Sequence, residues 1–305
     1  MHGSSNKDPR GELDSKAKER LASAATQLAH LAGEYIFAAY VQAPDVEFKP
    51  PGPGGAPNSN PVSATDRAVE RLIRERLSAE FPADAVIGEE SGVSGGCRSP
   101  FTWVIDPVDG TTNFVNGLPL FASSIGVLYR GWPVAGAIWC SSSHTFAPGV
   151  YHAFADGPLR FAGALLRRRT QGPWRGLASE PGKAPTYGAL WDTRVLGCST
   201  LEFAFVAAGL LSFAYLARPK LWDVAAGLVL LQSAGCRAVV ARDTHRDTLL
   251  YFSTPEHDLE ALASWSEPVL LGDELALERA RGMEVAQALA AGPFVTLTTK
   301  HPRQA

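Results

Sequence analysis

Val69, Leu72, Ile73 and Leu77 recur at intervals of three and four, a stripe that predicts a helix with Ser63 or Thr65 as its cap and Pro82 beyond its end. Upstream, the stretch from Leu13 to Val41 is rich in Ala, Leu, Lys and Glu and predicts a longer helix. Between them Lys49–Asn60 carries four prolines and three glycines, which leaves neither helix nor strand and predicts a mobile loop. The middle of the chain changes period. Phe101–Ile105 is a compact β-type run leading to Asp106, Ser123–Tyr129 and Val134–Cys140 flank an Arg-Gly-Trp-Pro turn, and Val150–Phe154 and Leu159–Phe161 flank Asp156-Gly157. Helix returns with Val224, Gly227, Leu228 and Leu231, closed by Gly235. Strands joined by short turns, followed by αβ alternation, predict two sheets sandwiched between helices, an α/β (α+β) layered fold.

The 305 residues exceed a single small domain, and the pattern divides them into three parts. Residues 1–12 read as a disordered leader, 13–160 as an N-terminal α+β sub-domain and 161–305 as a C-terminal α/β sub-domain. With 46% hydrophobic and 19% charged residues, there is ample material for a core. A net charge of −3 argues against a dedicated nucleic-acid binder, yet a bound cation could still invert the local field for an anionic substrate. Met1–Arg10 has no apolar segment of the signal-peptide kind. The longest apolar run, Phe203–Ala217, falls short of the roughly 20 residues a membrane span needs, so it reads as buried core. Cys97, Cys140, Cys198 and Cys236 form no CxxC pair, which points to free thiols in a reducing cytoplasm and away from zinc. Arg167-Arg168-Arg169 reads as a solvated loop.

Candidate chemistry centres on Asp106-Pro107-Val108-Asp109-Gly110-Thr111-Thr112-Asn113, behind a strand and opening a helix. Two carboxylates three residues apart, with the Val108 carbonyl between them, offer the all-oxygen ligation hard divalent cations prefer. Gly110 allows close approach, and the Gly110 and Thr111 amides at a helix start suit a phosphate. Val86-Ile87-Gly88-Glu89-Glu90 delivers two adjacent acids to opposite faces, so one can bind metal while the other meets water. Trp222-Asp223 begins an apolar helix, and Ser63-Ala64-Thr65-Asp66 begins another. Taken singly, these three motifs read as solvated surface, a dipole-favoured helix start and a cap.

Their order changes that reading. Ala-Thr-Asp, Gly-Glu-Glu-Ser, Asp-Pro-Val-Asp-Gly-Thr-Thr-Asn and Trp-Asp-Val-Ala-Ala-Gly, in this succession from about Lys49 to Gly235, resemble the inositol monophosphatase family. That family belongs to a wider group of Mg²⁺-dependent, Li⁺-inhibited phosphatases that includes the fructose-1,6-bisphosphatases. The resemblance implies an αβαβα sandwich and two or three Mg²⁺ ions. Glu89, Asp106 and the Val108 carbonyl would hold the first, and Asp106, Asp109 and Asp223 the second. It further implies that Thr111 pairs with Asp66, that Gly110, Thr111 and Thr112 hold phosphate, that Ser199 lies near the alcohol part of the substrate, and that Lys49 sits on a mobile loop. Catalytic roles would fall to Asp66, Glu89 and Thr111. The implied reaction is hydrolysis of a small phosphomonoester, an inositol monophosphate or a related sugar or polyol phosphate, by in-line attack of a metal-activated water.

Three departures bear on the substrate. The segment between Lys49 and Ala64 is longer and richer in Pro and Gly than is typical, Leu216 stands where many members have a glutamate, and Gly197-Cys198-Ser199 replaces Gly-Thr-Ala or Gly-Ser-Ala. An apolar Leu216 would not read an inositol hydroxyl, so broad specificity is expected. The alternatives are a regulatory member whose task is binding a partner such as RNA polymerase, and a 3′-phosphoadenosine phosphatase. Expected partners are the small phosphomonoester, with no membrane and no nucleic acid; a homodimer is left open.

Overall fold

The structure, a computed structural model, describes residues 8–42, 46–48, 61–95, 99–169, 176–179, 191–242, 245–252 and 258–280. Lys49, its loop and Cys97 lie outside the described residues. Helix α1 (Ser15–Val41) starts where the Asp14 carboxylate accepts the Ala17 N–H at 2.6 Å. A ribbon of β1 (Val46–Phe48) and β2 (Pro61–Ser63) leads to α2 (Ala64–Glu80), where Ser63 and Asp66 form a reciprocal capping box. Next come β3 (Ala85–Gly88), β4 (Gly92–Ser94), β5 (Phe101–Asp109), the one-turn helix α3 (Thr111–Val115), β6 (Ala122–Tyr129), β7 (Trp132–Cys140), β8 (Gly149–Phe154), β9 (Arg160–Phe161) and β10 (Ala164–Leu165). These strands form an eight-stranded sheet in the order β10-β9-β8-β7-β6-β5-β3-β4, antiparallel except between β3 and β5.

The rest of the chain runs through β11 (Gly176–Ser179), β12 (Trp191–Arg194), α4 (Ser199–Ala208), β13 (Phe213–Leu216), α5 (Leu221–Ser233), β14 (Arg237–Arg242), β15 (His245–Thr248), α6 (Leu259–Ala263), β16 (Val269–Gly272) and α7 (Glu274–Ala280). Its six strands form a second, mixed sheet in the order β12-β11-β13-β16-β14-β15. Helices α1 and α2 cover one face of the first sheet, burying Leu28, Ile36, Ile73 and Leu77 against Trp103, Ile105 and Val127. On its other face α4 and α5 fill the space between the sheets, and one apolar core joins Val104 and Ile138 to Leu228, Leu230 and Leu271. Helix α7 covers the outer face of the second sheet. The layers are therefore α, β, α, β, α, as the family resemblance implied.

Helix α5 sits unusually close to the first sheet. Gly126 and Gly136 are paired across β6 and β7, and a side chain on Gly136 would come within 2.5 Å of the Ala226 carbonyl. Small residues on both sides let backbone meet backbone and so fix where α5 begins.

Two expectations need correction. Of the supposed disordered leader, Pro9–Glu12 forms a 3-10 turn: Pro9 is buried, Arg10 donates to Gln232 at 2.8 Å and lies over the Trp132 ring, and Glu12 accepts from Tyr129 at 2.8 Å. An Asp and a Pro next to an Arg give this segment a cap and long-range anchors that composition conceals. Arg168, assigned to a solvated loop, is half-buried, pairs with Asp273 at 3.0 Å and donates to the Val206 carbonyl at 3.3 Å. The apolar run does form core: α4 and β13 are almost wholly buried, and no helix among the described residues is long and apolar enough to cross a membrane. Among the described cysteines, Cys140, Cys198 and Cys236 are free and buried.

Candidate metal centre

Strand β5 does not end at Asp106, as its apolar run suggested, but continues to Asp109. Asp106 lies opposite Ser124 and Asp109 opposite Ala122, so β5 advances three residues while β6 advances two. In a regular strand, residues three apart point to opposite faces. The extra residue is a β-bulge, and it allows both carboxylates to point into one site. Gly110 follows with φ 81°, a left-handed conformation that opens α3, and any Cβ there would meet the Leu120 carbonyl at 3.0 Å and Cys198 Cβ at 3.1 Å.

Asp223 reaches the same place from the first turn of α5. Oxygens of Asp106, Asp109 and Asp223 all lie within 4.8 Å of one another. The latter two are anchored by backbone: Asp109 Oδ2 accepts the Thr200 N–H at 2.6 Å and Asp223 Oδ2 the Lys220 N–H at 2.6 Å. The Cys198 thiol also donates to Asp109 Oδ2 at 3.2 Å. Asp106 differs: it is 1% exposed and its Oδ1 has no hydrogen-bond partner. Glu89 stands outside this 4.8 Å group, yet its charge acts on both Asp106 and Asp223.

Burial pushes the carboxyls of Asp106 and Asp223 well above the usual carboxylate range, and the charges of Glu89 and Asp109 push both in the same direction. Asp109 is raised by burial and held back by its bonds to Thr200 and Cys198. Such a cluster, with one buried oxygen unpartnered, fits a hard divalent cation, which would supply the missing partner and offset the repulsion.

Asp66 lies one turn into the site from α2. Its Oδ2 accepts from the Ser63 N–H at 2.9 Å and from the Ser63 hydroxyl, and its Oδ1 accepts from Thr111 Oγ1 at 3.1 Å. The Thr111 hydroxyl also lies 2.8 Å from the Val108 carbonyl, so one proton faces two acceptors. Burial raises the Asp66 carboxyl, against the Ser63 and Thr111 bonds that lower it. Thr112 is exposed on α3, and Ser199 is the half-buried first residue of α4. Asn113 ties the two regions together by donating to the carbonyls of Leu120 and Leu196, each at 2.7 Å. Leu216 is 6% exposed and belongs to the core between the sheets.

Sequence reasoning missed Glu202. This acid on α4 is 5% exposed, bonded to Ser179 at 2.5 Å, and pushed up to about 8 by burial, with Asp109 adding to the rise. Its only signal was an acid at the edge of an apolar run. The thiol of Cys198 was likewise read simply as free, because nothing local announces a carboxylate 89 positions earlier.

Two sheets stacked between helices, with acids gathered at a strand bulge and a helix start, define an α/β sandwich with a buried acidic centre. The chain belongs to the inositol monophosphatase family, whose sequence profile matches residues 17–264. It is 32% identical over 246 residues to the inositol-1-monophosphatase SuhB of Mycobacterium tuberculosis, covering 74% of this chain and 81% of that protein. It is 33% identical over 200 residues to the chloroplastic phosphatase IMPL1 of Arabidopsis thaliana, covering 58% of this chain and 52% of that protein, about half its length. Among solved structures it is similar to the extragenic suppressor protein suhB of Bartonella henselae, with 25% identity, a TM-score of 0.67 and coverage of 90% and 99%.

Proposed function

We propose that this chain is a Mg²⁺-dependent hydrolase of small phosphomonoesters, with inositol monophosphate and related sugar or polyol phosphates as its substrate class. The observation that carries the reading is the Asp106, Asp109 and Asp223 triangle with its unpartnered, buried Asp106 oxygen. Glu89, Asp106 and the Val108 carbonyl would hold one cation, and Asp106, Asp109 and Asp223 another. When bound, such cations neutralise phosphate charge and make water acidic enough to be a nucleophile near neutral pH.

The remaining roles belong to the chain itself. Ser63 holds Asp66 so that its free oxygen faces Thr111. When the hydroxyl donates its hydrogen bond to Asp66, its lone pairs are left to accept a hydrogen bond from water, which would orient that water toward a phosphorus atom. The amides of Gly110, Thr111 and Thr112 at the start of α3 are the phosphate donors in this reading, and Ser199 borders the alcohol group. Leu216, buried among apolar side chains, offers no hydrogen bond to a substrate hydroxyl, which favours broad specificity. Lys49 is assigned to substrate or cation capture by family resemblance alone.

Purified protein assayed against a panel of phosphomonoesters should release phosphate with Mg²⁺, lose activity in EDTA and regain it on Mg²⁺ addition. Millimolar Li⁺ should inhibit. Activity that survives exhaustive chelation would remove the metal-dependent reading.

A further inference from the structure

The geometry points to Glu70 as a positioning residue that sets the direction of Glu89, and this rests on the reading of Glu89 as a cation ligand. Glu70 is fully buried on α2, one turn after Asp66 and on the same face. Its carboxylate does not enter the acidic centre. It is spent on the turn that carries Glu89: Oε2 accepts the Glu90 N–H at 2.7 Å and Oε1 accepts the Ser91 N–H at 3.0 Å. Arg74 balances the charge by donating to Oε1 at 2.8 Å, and reaches on to the Gly92 carbonyl at 2.6 Å and Ser94 Oγ at 2.5 Å. Gly88 lies over this carboxylate so closely that a Cβ would stand 2.6 Å from Oε2.

These bonds act on Glu89 from both sides of its α-carbon. Its own N–H donates to the Ile105 carbonyl at 3.2 Å, extending the parallel pairing of β3 with the strand that carries Asp106. The next amide, Glu90 N–H, belongs to the peptide plane that contains the Glu89 carbonyl, and Glu70 fixes it. With both peptide planes held, φ and ψ of Glu89 are fixed, and so is the direction of its Cα–Cβ bond. A second carboxylate four residues from Asp66 thus tunes the site without touching a ligand. Two converging N–H donors and a guanidinium fill the acceptor positions of this carboxylate, and hydrogen bonds to a guanidinium are among the strong ones. A glutamine would turn its NH₂ toward one of those donors.

The test is to titrate Mg²⁺ against activity and against binding by calorimetry in Glu70→Gln, Arg74→Gln and the control Ile73→Val. Ile73 is buried on the same helix and outside the clamp. Glu70→Gln should raise the half-saturating Mg²⁺ concentration by about 10- to 100-fold, the range for loss of a group that orients a metal ligand. At saturating Mg²⁺ its KM should stay within about twofold of the unsubstituted value, because substrate contacts are untouched. Arg74→Gln should shift the Mg²⁺ requirement in the same direction by less, and supplies the answer if Glu70→Gln does not fold. Ile73→Val should melt lower with no change in Mg²⁺ requirement. An unchanged requirement in the folded clamp variants, or an equal shift in Ile73→Val, overturns the positioning role while leaving the metal reading intact. Absence of Mg²⁺ binding by the unsubstituted chain overturns the metal reading itself and the clamp's purpose with it.

Discussion

Asp106→Asn should make the cation-free chain more stable while sharply weakening its response to Mg²⁺. Asp106 is 1% exposed, its Oδ1 has no partner, and its carboxylate lies within 4.8 Å of those of Asp109 and Asp223. At an effective dielectric near 20, two unit charges at that separation repel by about 3.5 kcal/mol. Two ionised neighbours would double this, but the folded chain can escape by keeping a proton. Holding that proton at pH 7.5 on a carboxyl whose ordinary pKa is near 4 costs about 5 kcal/mol, which caps the strain. An asparagine removes the charge, keeps the shape and adds an N–H donor that can bond to a neighbouring carboxylate. We expect a net gain of about 3 kcal/mol, or roughly 5 °C in Tm for a chain of this size. Mg²⁺ at a hundred times its Kd should raise the unsubstituted chain by about 2.7 kcal/mol and the variant by much less. Thermal and urea unfolding in EDTA and in Mg²⁺ give all four values. A variant that melts at or below the unsubstituted chain in EDTA would show that the acids are not in electrostatic conflict. An undiminished Mg²⁺ shift would show that Asp106 is not a ligand.

Asp66→Asn and Thr111→Ala should each lower kcat far more than they raise KM, and the double variant should be little worse than either one, as for groups that act as a unit; additive losses would separate their roles. Glu202, pushed up to about 8 from an ordinary 4.5, keeps its proton in the folded chain across a pH window in which the unfolded chain has lost it. Folding stability should therefore fall as pH rises from about 4.5 to 8, and Glu202→Gln should flatten that slope, matching the unsubstituted chain near pH 4.5 and exceeding it by a few kcal/mol at pH 8. Urea midpoints across that range check it, and parallel slopes would refute it.

Local sequence determined the parts of this protein that depend on near neighbours. The stripe of α2, its Ser63 cap, the hairpin at Asp156-Gly157 and the glycine stop at Gly235 were legible because each is set within a few residues. The order of the acidic motifs identified the family, and with it the layered fold and the acids to watch. What the sequence could not give was convergence. Asp106 and Asp109 share a site through a bulge that exists only in register with β6, and Asp223 joins them because Gly126 and Gly136 let α5 lie against that sheet. Glu70 and Glu202 look like ordinary helix acids along the chain; their burial depends on Gly88, Ser91 and Ser179, which lie 18 to 23 positions away. Arg10 looked like part of a disordered leader and Arg168 like a solvated charge for the same reason, since Gln232 and Asp273 are remote in sequence. Periodicity and caps are encoded by side chains that meet their own backbone, whereas the electrostatics of a buried site are decided by which distant groups the packed sheets exclude from water.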